Sequence, residues 1–188
     1  MFMRKNRIIK SLNLKLSDIA IISVLFAIGI ASRFIIHLPN FSPLAPIALF
    51  AGVYLPRKIS LILPIIILVI SDLFLGTYEP VLMVSVYGSF ILCSFLGFWL
   101  KKYKSWMNIY IISTVCALLF FIITNFVVWL ATPWYSKDLT GLFYSYFLAL
   151  PFFRNNLLGN LFYSTVFFGS YELIIWFVRN NLVVKKIN

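Results

Sequence analysis

The sequence predicts an all-α integral membrane protein of six transmembrane helices with both termini on the cytoplasmic side, and three observations carry that prediction. Hydrophobic residues make up 62% of the 188 and charged ones only 11%. With a mean hydropathy of +0.99, the chain holds far more apolar surface than a soluble domain of this size can bury. The apolar residues fall in runs of membrane-spanning length, and thirteen of the sixteen bases fall in the intervals that one side of a bilayer would hold.

Taken in order, the runs are Ser17 to Ile36, Pro43 to Leu55, Ile59 to Leu75, Pro80 to Leu100, Met107 to Ala131 and Leu157 to Val178. The second is short and carries Pro43 and Pro46, so it reads as a thin, tilted helix or a partly re-entrant one. The first run is too long for a signal peptide, lacks a small-residue exit and is followed by five more spans. No internal repeat or low-complexity linker divides the chain. A single membrane domain over 1–188 is expected, with a basic cytoplasmic segment at 1–16, the bundle at 17–178 and a basic tail at 179–188.

Arg4, Lys5, Arg7, Lys10 and Lys15 precede span one, Arg57 and Lys58 follow span two, Lys101, Lys102 and Lys104 follow span four, and Arg179, Lys185 and Lys186 follow span six. That leaves Arg33, Lys137 and Arg154 for the outer side, and the parity agrees with six spans. The net charge of +11 is therefore topological, and nucleic acid is not an expected partner. The outer connections are His37 to Ser42, Gly76 to Glu79 and the long Thr132 to Asn156. Within the last, Leu139 to Leu150 is apolar and aromatic but too short to span, which predicts a short interfacial or re-entrant helix lying over the bundle as a lid.

Polar groups at membrane depth are expensive, so their levels are informative. At ~1.5 Å of rise per residue, Arg33, Asp72, Asn125 and Asn160 fall at comparable depth near the outer ends of spans one, three, five and six. Phe41, Trp129, Trp134, Tyr135 and Tyr144 come from adjoining segments, and the two prolines of Pro39-Asn40-Phe41-Ser42-Pro43 stiffen the loop that presents Asn40 and Phe41. A substrate-binding pocket is one reading of Arg33, Asn40, Phe41, Asp72, Asn125, Trp129, Trp134, Tyr135 and Asn160. The other is a structural Arg33–Asp72 pair, a rigid turn and an interfacial belt of aromatic rings. Stacking rings suit a planar heterocycle, and Arg33 suits an anionic group.

Glu172 falls slightly cytoplasmic of the middle of span six, where it needs a hydrogen-bond partner or a water-filled cavity, and proton coupling is the sharper alternative. Glu79 and Asp138 read as solvated loop charges. Ala20, Ser23, Ala27 and Ala31 recur at spacings of three, four and four along one face of span one, a flat stripe for packing against another helix of this chain or of a partner.

The chemistry these residues exclude is broad. There is one histidine, His37, and no H-E-x-x-H, G-x-S-x-G or P-loop, and Cys93 and Cys116 both lie in apolar runs. No enzyme activity, metal or cofactor is expected. Asp72 and Glu79 are separated by Gly76 and are no clear helix-face pair, and the polar positions cluster at one end of the bundle rather than along a channel.

Six spans with both termini inside, an Ala27-Ile28-Gly29-Ile30-Ala31 stripe and three outer loops around a polar pocket together resemble the substrate-binding S components of energy-coupling factor (ECF) transporters. The segments Ser32-Arg33-Phe34, His37-Leu38-Pro39-Asn40-Phe41-Ser42-Pro43 and Ser71-Asp72-Leu73-Phe74-Leu75-Gly76 are similar to a family of uncharacterised bacterial six-span membrane proteins. The resemblance implies capture of a vitamin-like micronutrient at the bacterial cytoplasmic membrane. A membrane T component and two cytoplasmic ATPases would then drive import, and Ala27 and Ala31 would match the alanines that contact the T component. In that family the stripe lies nearer the cytoplasmic end of span one, where Ala20 and Val24 are the nearer match. A non-transporting membrane scaffold and a proton-coupled secondary transporter using Glu172 are the other two expectations.

Overall fold

The computed structural model describes residues 15–35 and 38–187, except for the side chains at 179 and 181–187. The basic segment before Lys15, Ile36, His37 and the side chains of Arg179, Lys185 and Lys186 lie outside the described residues. The described secondary structure is entirely helical: α1 (Leu16–Phe34), α2 (Leu44–Tyr54), α3 (Arg57–Leu75), α4 (Pro80–Lys102), α5 (Trp106–Ala131) and α6 (Leu139–Ile187). Five of these are long and apolar enough to cross a bilayer, making this a multi-pass helical membrane protein. At eleven residues, α2 is about 16 Å long, half of a hydrocarbon core of ~30 Å.

Local chemistry sets the helix ends. Asp18 in the first turn of α1 accepts from the Lys15 amide at 3.0 Å, and Ser105 Oγ caps α5 by accepting from the Asn108 amide at 3.1 Å. Pro80 opens α4, where a missing N–H costs nothing, and Gly76 ends α3 at φ +99°, a conformation a side chain would strain. Adjacent helices alternate in direction. Phe90 of α4 stacks on Phe120 of α5 at 5.5 Å, and Ser113 Oγ of α5 donates to Ser164 Oγ of α6 at 2.7 Å. Lys15, Arg57, Lys58, Lys101, Lys102 and Lys104 therefore share one end of the bundle, called here the basic end.

The short α2 is the centre of the molecule. Every residue from Leu44 to Val53 is buried. Its approach to α4 is backbone against backbone: a Cβ on Gly52 would stand 2.4 Å from the Ser94 carbonyl oxygen, and one on Gly97 2.5 Å from that of Leu49. In lipid, where burial of apolar surface gives no net drive, such close van der Waals approach is what holds helices together. Gly29 of α1 plays a smaller version of this role, against Ile67 and Ile47.

Two expectations change here. The segment Leu139 to Leu150 is helical, but it is neither a separate helix nor a lid; it is the first part of a 49-residue α6 that runs through Pro151. The loop before it shrinks to residues 132–138. A proline removes one helix hydrogen bond without ending a helix whose neighbours hold it in line, and α5 does so through Tyr146 Oη, which donates to the Ile122 carbonyl at 2.8 Å. Asp138 is a solvent-exposed charge, as expected, and it also caps α6 by accepting from the Gly141 amide at 2.7 Å and the Ser136 hydroxyl at 2.8 Å. The Gly141 amide first and then that hydroxyl hold its carboxyl below the ordinary value.

The second change is Glu172. It lies at the basic end rather than near mid-depth, ion-paired with Lys104, and it accepts from Tyr54 Oη at 3.1 Å. Counting depth from Leu157 misplaces it, because α6 begins eighteen residues earlier and descends past a proline.

Candidate functional site

In the connection between α1 and α2, Leu38, Pro39 and Asn40 are exposed at the end of the bundle, and the chain turns inward from Phe41 to the buried Pro43. Phe41 packs on Phe162 at 5.9 Å and on Tyr163 at 5.5 Å, side chains well along α6. The absence of a side chain at Gly159 lets this backbone lie close: a Cβ there would meet Ser42 N at 3.1 Å and Phe41 Cα at 3.2 Å. Asn155 Nδ2 donates to the Pro39 carbonyl at 3.1 Å, tying the exposed part of the connection to α6. At the tip Asn40 adopts φ +63°, a left-handed conformation asparagine tolerates better than most residues.

Two cavities adjoin at this tip. The first, about 230 Å³, is lined by Arg33, Asn40, Ser42, Tyr78, Phe90, Phe120 and Asn156 among others. The second, about 220 Å³, shares Asn40, Phe120 and Asn156 and extends to Thr124, Asn125, Phe121 and Phe153. Together they fall within the ~300–1,000 Å³ of small-molecule sites.

Behind the first cavity, Arg33 Nη2 donates to Asp72 Oδ1 at 2.6 Å and Arg33 Nε to Ser71 Oγ at 3.1 Å. Tyr87 Oη donates to the other Asp72 oxygen at 2.7 Å. Asp72 is 2% exposed and does not line either cavity, whereas Arg33 does. Burial, then the negative charge of Asp72, raises the Tyr78 phenol above its ordinary value, against the pull of Arg33, so Tyr78 is a neutral donor at physiological pH. In the second cavity Asn125 Nδ2 donates to the Phe121 carbonyl at 2.8 Å and Thr124 Oγ1 to the Phe120 carbonyl at 2.7 Å. The bond to Phe121 uses one of the two Asn125 N–H groups, which leaves the other to donate and the side-chain oxygen to accept.

Of the residues expected at a site, Arg33, Asn40 and Asn125 line the cavities and Asp72 stands behind Arg33. Phe41 instead anchors the loop on α6. Asn160 lies one turn from Asn156, to which it donates at 2.6 Å, and its Oδ1 has no partner among the described residues. Trp129, Trp134 and Tyr135 sit at the end of α5 and in the 132–138 turn, outside both linings; Trp129 Nε1 donates to the Ser136 carbonyl at 2.9 Å. Ala20, Ser23, Ala27 and Ala31 are all exposed on the face of α1 turned from the bundle.

Tyr78, Phe120 and Asn156 line the site without having been singled out in the sequence. Asn156 had one available signal: a second amide four residues before Asn160 shares its helix face once the helix is known to continue.

The chain belongs to the Family of unknown function (DUF6580), which matches residues 13–182. Neither a curated protein nor a solved structure matches it.

Proposed function

We propose that this family member is a substrate-binding membrane subunit of the energy-coupling factor class. It captures a vitamin-like small molecule outside the bacterial cytoplasmic membrane for import driven by a T component and two ATPases. The single observation that carries the reading is the position of Asn40 at the tip of the 38–43 loop, where it lines two adjoining cavities that also hold Arg33, Tyr78, Asn125 and Asn156. With the basic end cytoplasmic, as the distribution of Lys and Arg favours, these cavities reach toward the outside. The exposed small stripe of α1 suits a helix of a partner subunit, and the absence of a nucleotide-binding motif in the sequence makes partners necessary for energy coupling.

A scaffold role is the second reading, favoured by the Arg33–Asp72 pair being satisfied without a ligand. Glu172 gives little support to a proton-coupled carrier, since it is tied to Lys104 and Tyr54 away from both cavities. Native mass spectrometry of the gently purified protein tests the proposal. The expected result is a stoichiometric small molecule, with T and ATPase subunits co-purifying. Failure to retain any small molecule across repeated ligand screens, with no such subunits, transfers the assignment to the scaffold.

A further inference from the structure

The two cavities differ in what they ask of a ligand. In the first, Arg33 keeps Nη1 without a partner among the described residues, and the neutral Tyr78 phenol stands beside it, so this lobe presents donors. In the second, the Thr124 hydroxyl has spent its one hydrogen and Asn125 one of its two on backbone carbonyls, so this lobe presents two acceptor oxygens, with one N–H of Asn125 remaining, among the rings of Phe121, Phe152 and Phe153. Asn40, shared by both, has an amide that can do either.

Charge is balanced before any ligand arrives. Arg33 is the one side chain carrying full charge that lines either cavity among the described residues, and Asp72 cancels it at 2.6 Å from behind. A net anion would add a second negative charge beside the Asp72 carboxylate with one guanidinium between them, and a net cation would face Arg33 with no carboxylate lining the space. Either costs more in a low-dielectric bundle than in water.

Resting on the binding-subunit reading, we infer that the ligand is a net-uncharged molecule with carbonyl-type acceptors at the end near Arg33 and an N–H or O–H donor at the end near Thr124 and Asn125. This replaces the anionic group that Arg33 alone suggests.

The test uses the full chain in lipid nanodiscs. A small-molecule cell extract is separated by ion exchange at neutral pH into anionic, cationic and uncharged fractions, and each is assayed for a rise in melting temperature and for a retained mass. The uncharged fraction alone is expected to stabilise the protein. Asn125→Leu should weaken the retained molecule at least tenfold, and Asn125→Asp should admit molecules from the cationic fraction. Stabilisation by the anionic or cationic fraction of the wild-type chain overturns the inference while leaving the binding-subunit reading standing. Stabilisation by none overturns that reading and the inference with it. The wild-type result decides the matter even if either variant fails to fold.

Discussion

α1 has the length and hydropathy of an ordinary membrane span, yet Leu25 and Gly29 are its only buried residues; α2 is too short to span and is buried from Leu44 to Val53. Both are strongly apolar, so apolarity does not tell them apart: hydrocarbon tails and a protein core make nearly the same solvent. What separates them is where small residues are spent. Gly52 of α2 is consumed in contact with Gly97, while Ala20, Ser23, Ala27 and Ala31 of α1 face away from the bundle.

That contrast breaks hardest at the α2–α4 crossing. Gly97→Leu should force two backbones apart, costing more than about 4 kcal/mol and abolishing monodisperse protein in size-exclusion chromatography. A stable, monodisperse variant would mean that α2 does not depend on this approach. The α1–α3 link comes next. Asp72→Asn leaves Arg33 uncompensated and should cost about 2 kcal/mol in thermal unfolding, less than the ~3–5 for a fully buried pair because the Arg33 side chain is 29% exposed. Asn155→Ala releases the Pro39 carbonyl that anchors the chain entering α2 and should cost about 1 kcal/mol in the same assay.

Asp138→Ala probes the start of α6, outside the contrast, through pH. Because the folded carboxyl is held below its unfolded value near 4, its stabilisation is present above that pH and lost as pH falls through the folded value. The melting temperatures of variant and wild type should differ at neutral pH and converge below about pH 4. Ala27→Leu should change the stability of the isolated chain by no more than about 0.5 kcal/mol. A loss above 1 kcal/mol would show that the stripe is already covered.

The sequence alone reveals the helices well, because span-length apolar runs and flanking prolines or basic pairs are strong one-dimensional signals. Pro80 and Ala131 mark helix ends in both readings. It fails at Pro151-Phe152-Phe153-Arg154-Asn155-Asn156, where a proline and a polar run mimic a loop. Those asparagines have polar partners elsewhere, the Pro39 and Ala117 carbonyls, that no local pattern reveals. At the site, Arg33, Asn40 and Asn125 are legible because polar groups at depth are rare. Phe120 is not, being one of twenty phenylalanines in the chain. The Lys104–Glu172 pair needs the turn between α4 and α5 to be brought level with the interior of α6, and that is a property of packing.

The shortness of α2 also constrains how this protein is made. A lone segment of eleven residues cannot keep both ends of its backbone solvated while its middle sits in lipid, so it has no stable place in the bilayer by itself. Leu55 and Pro56 join it to α3 with almost no slack, and α2 must therefore partition as half of a hairpin with α3. Its other face then waits for α4, which emerges from the ribosome later. Until Gly97 arrives, Gly52 has nothing to close on, leaving a half-built chain whose exposed seam a membrane chaperone or quality-control protease can recognise.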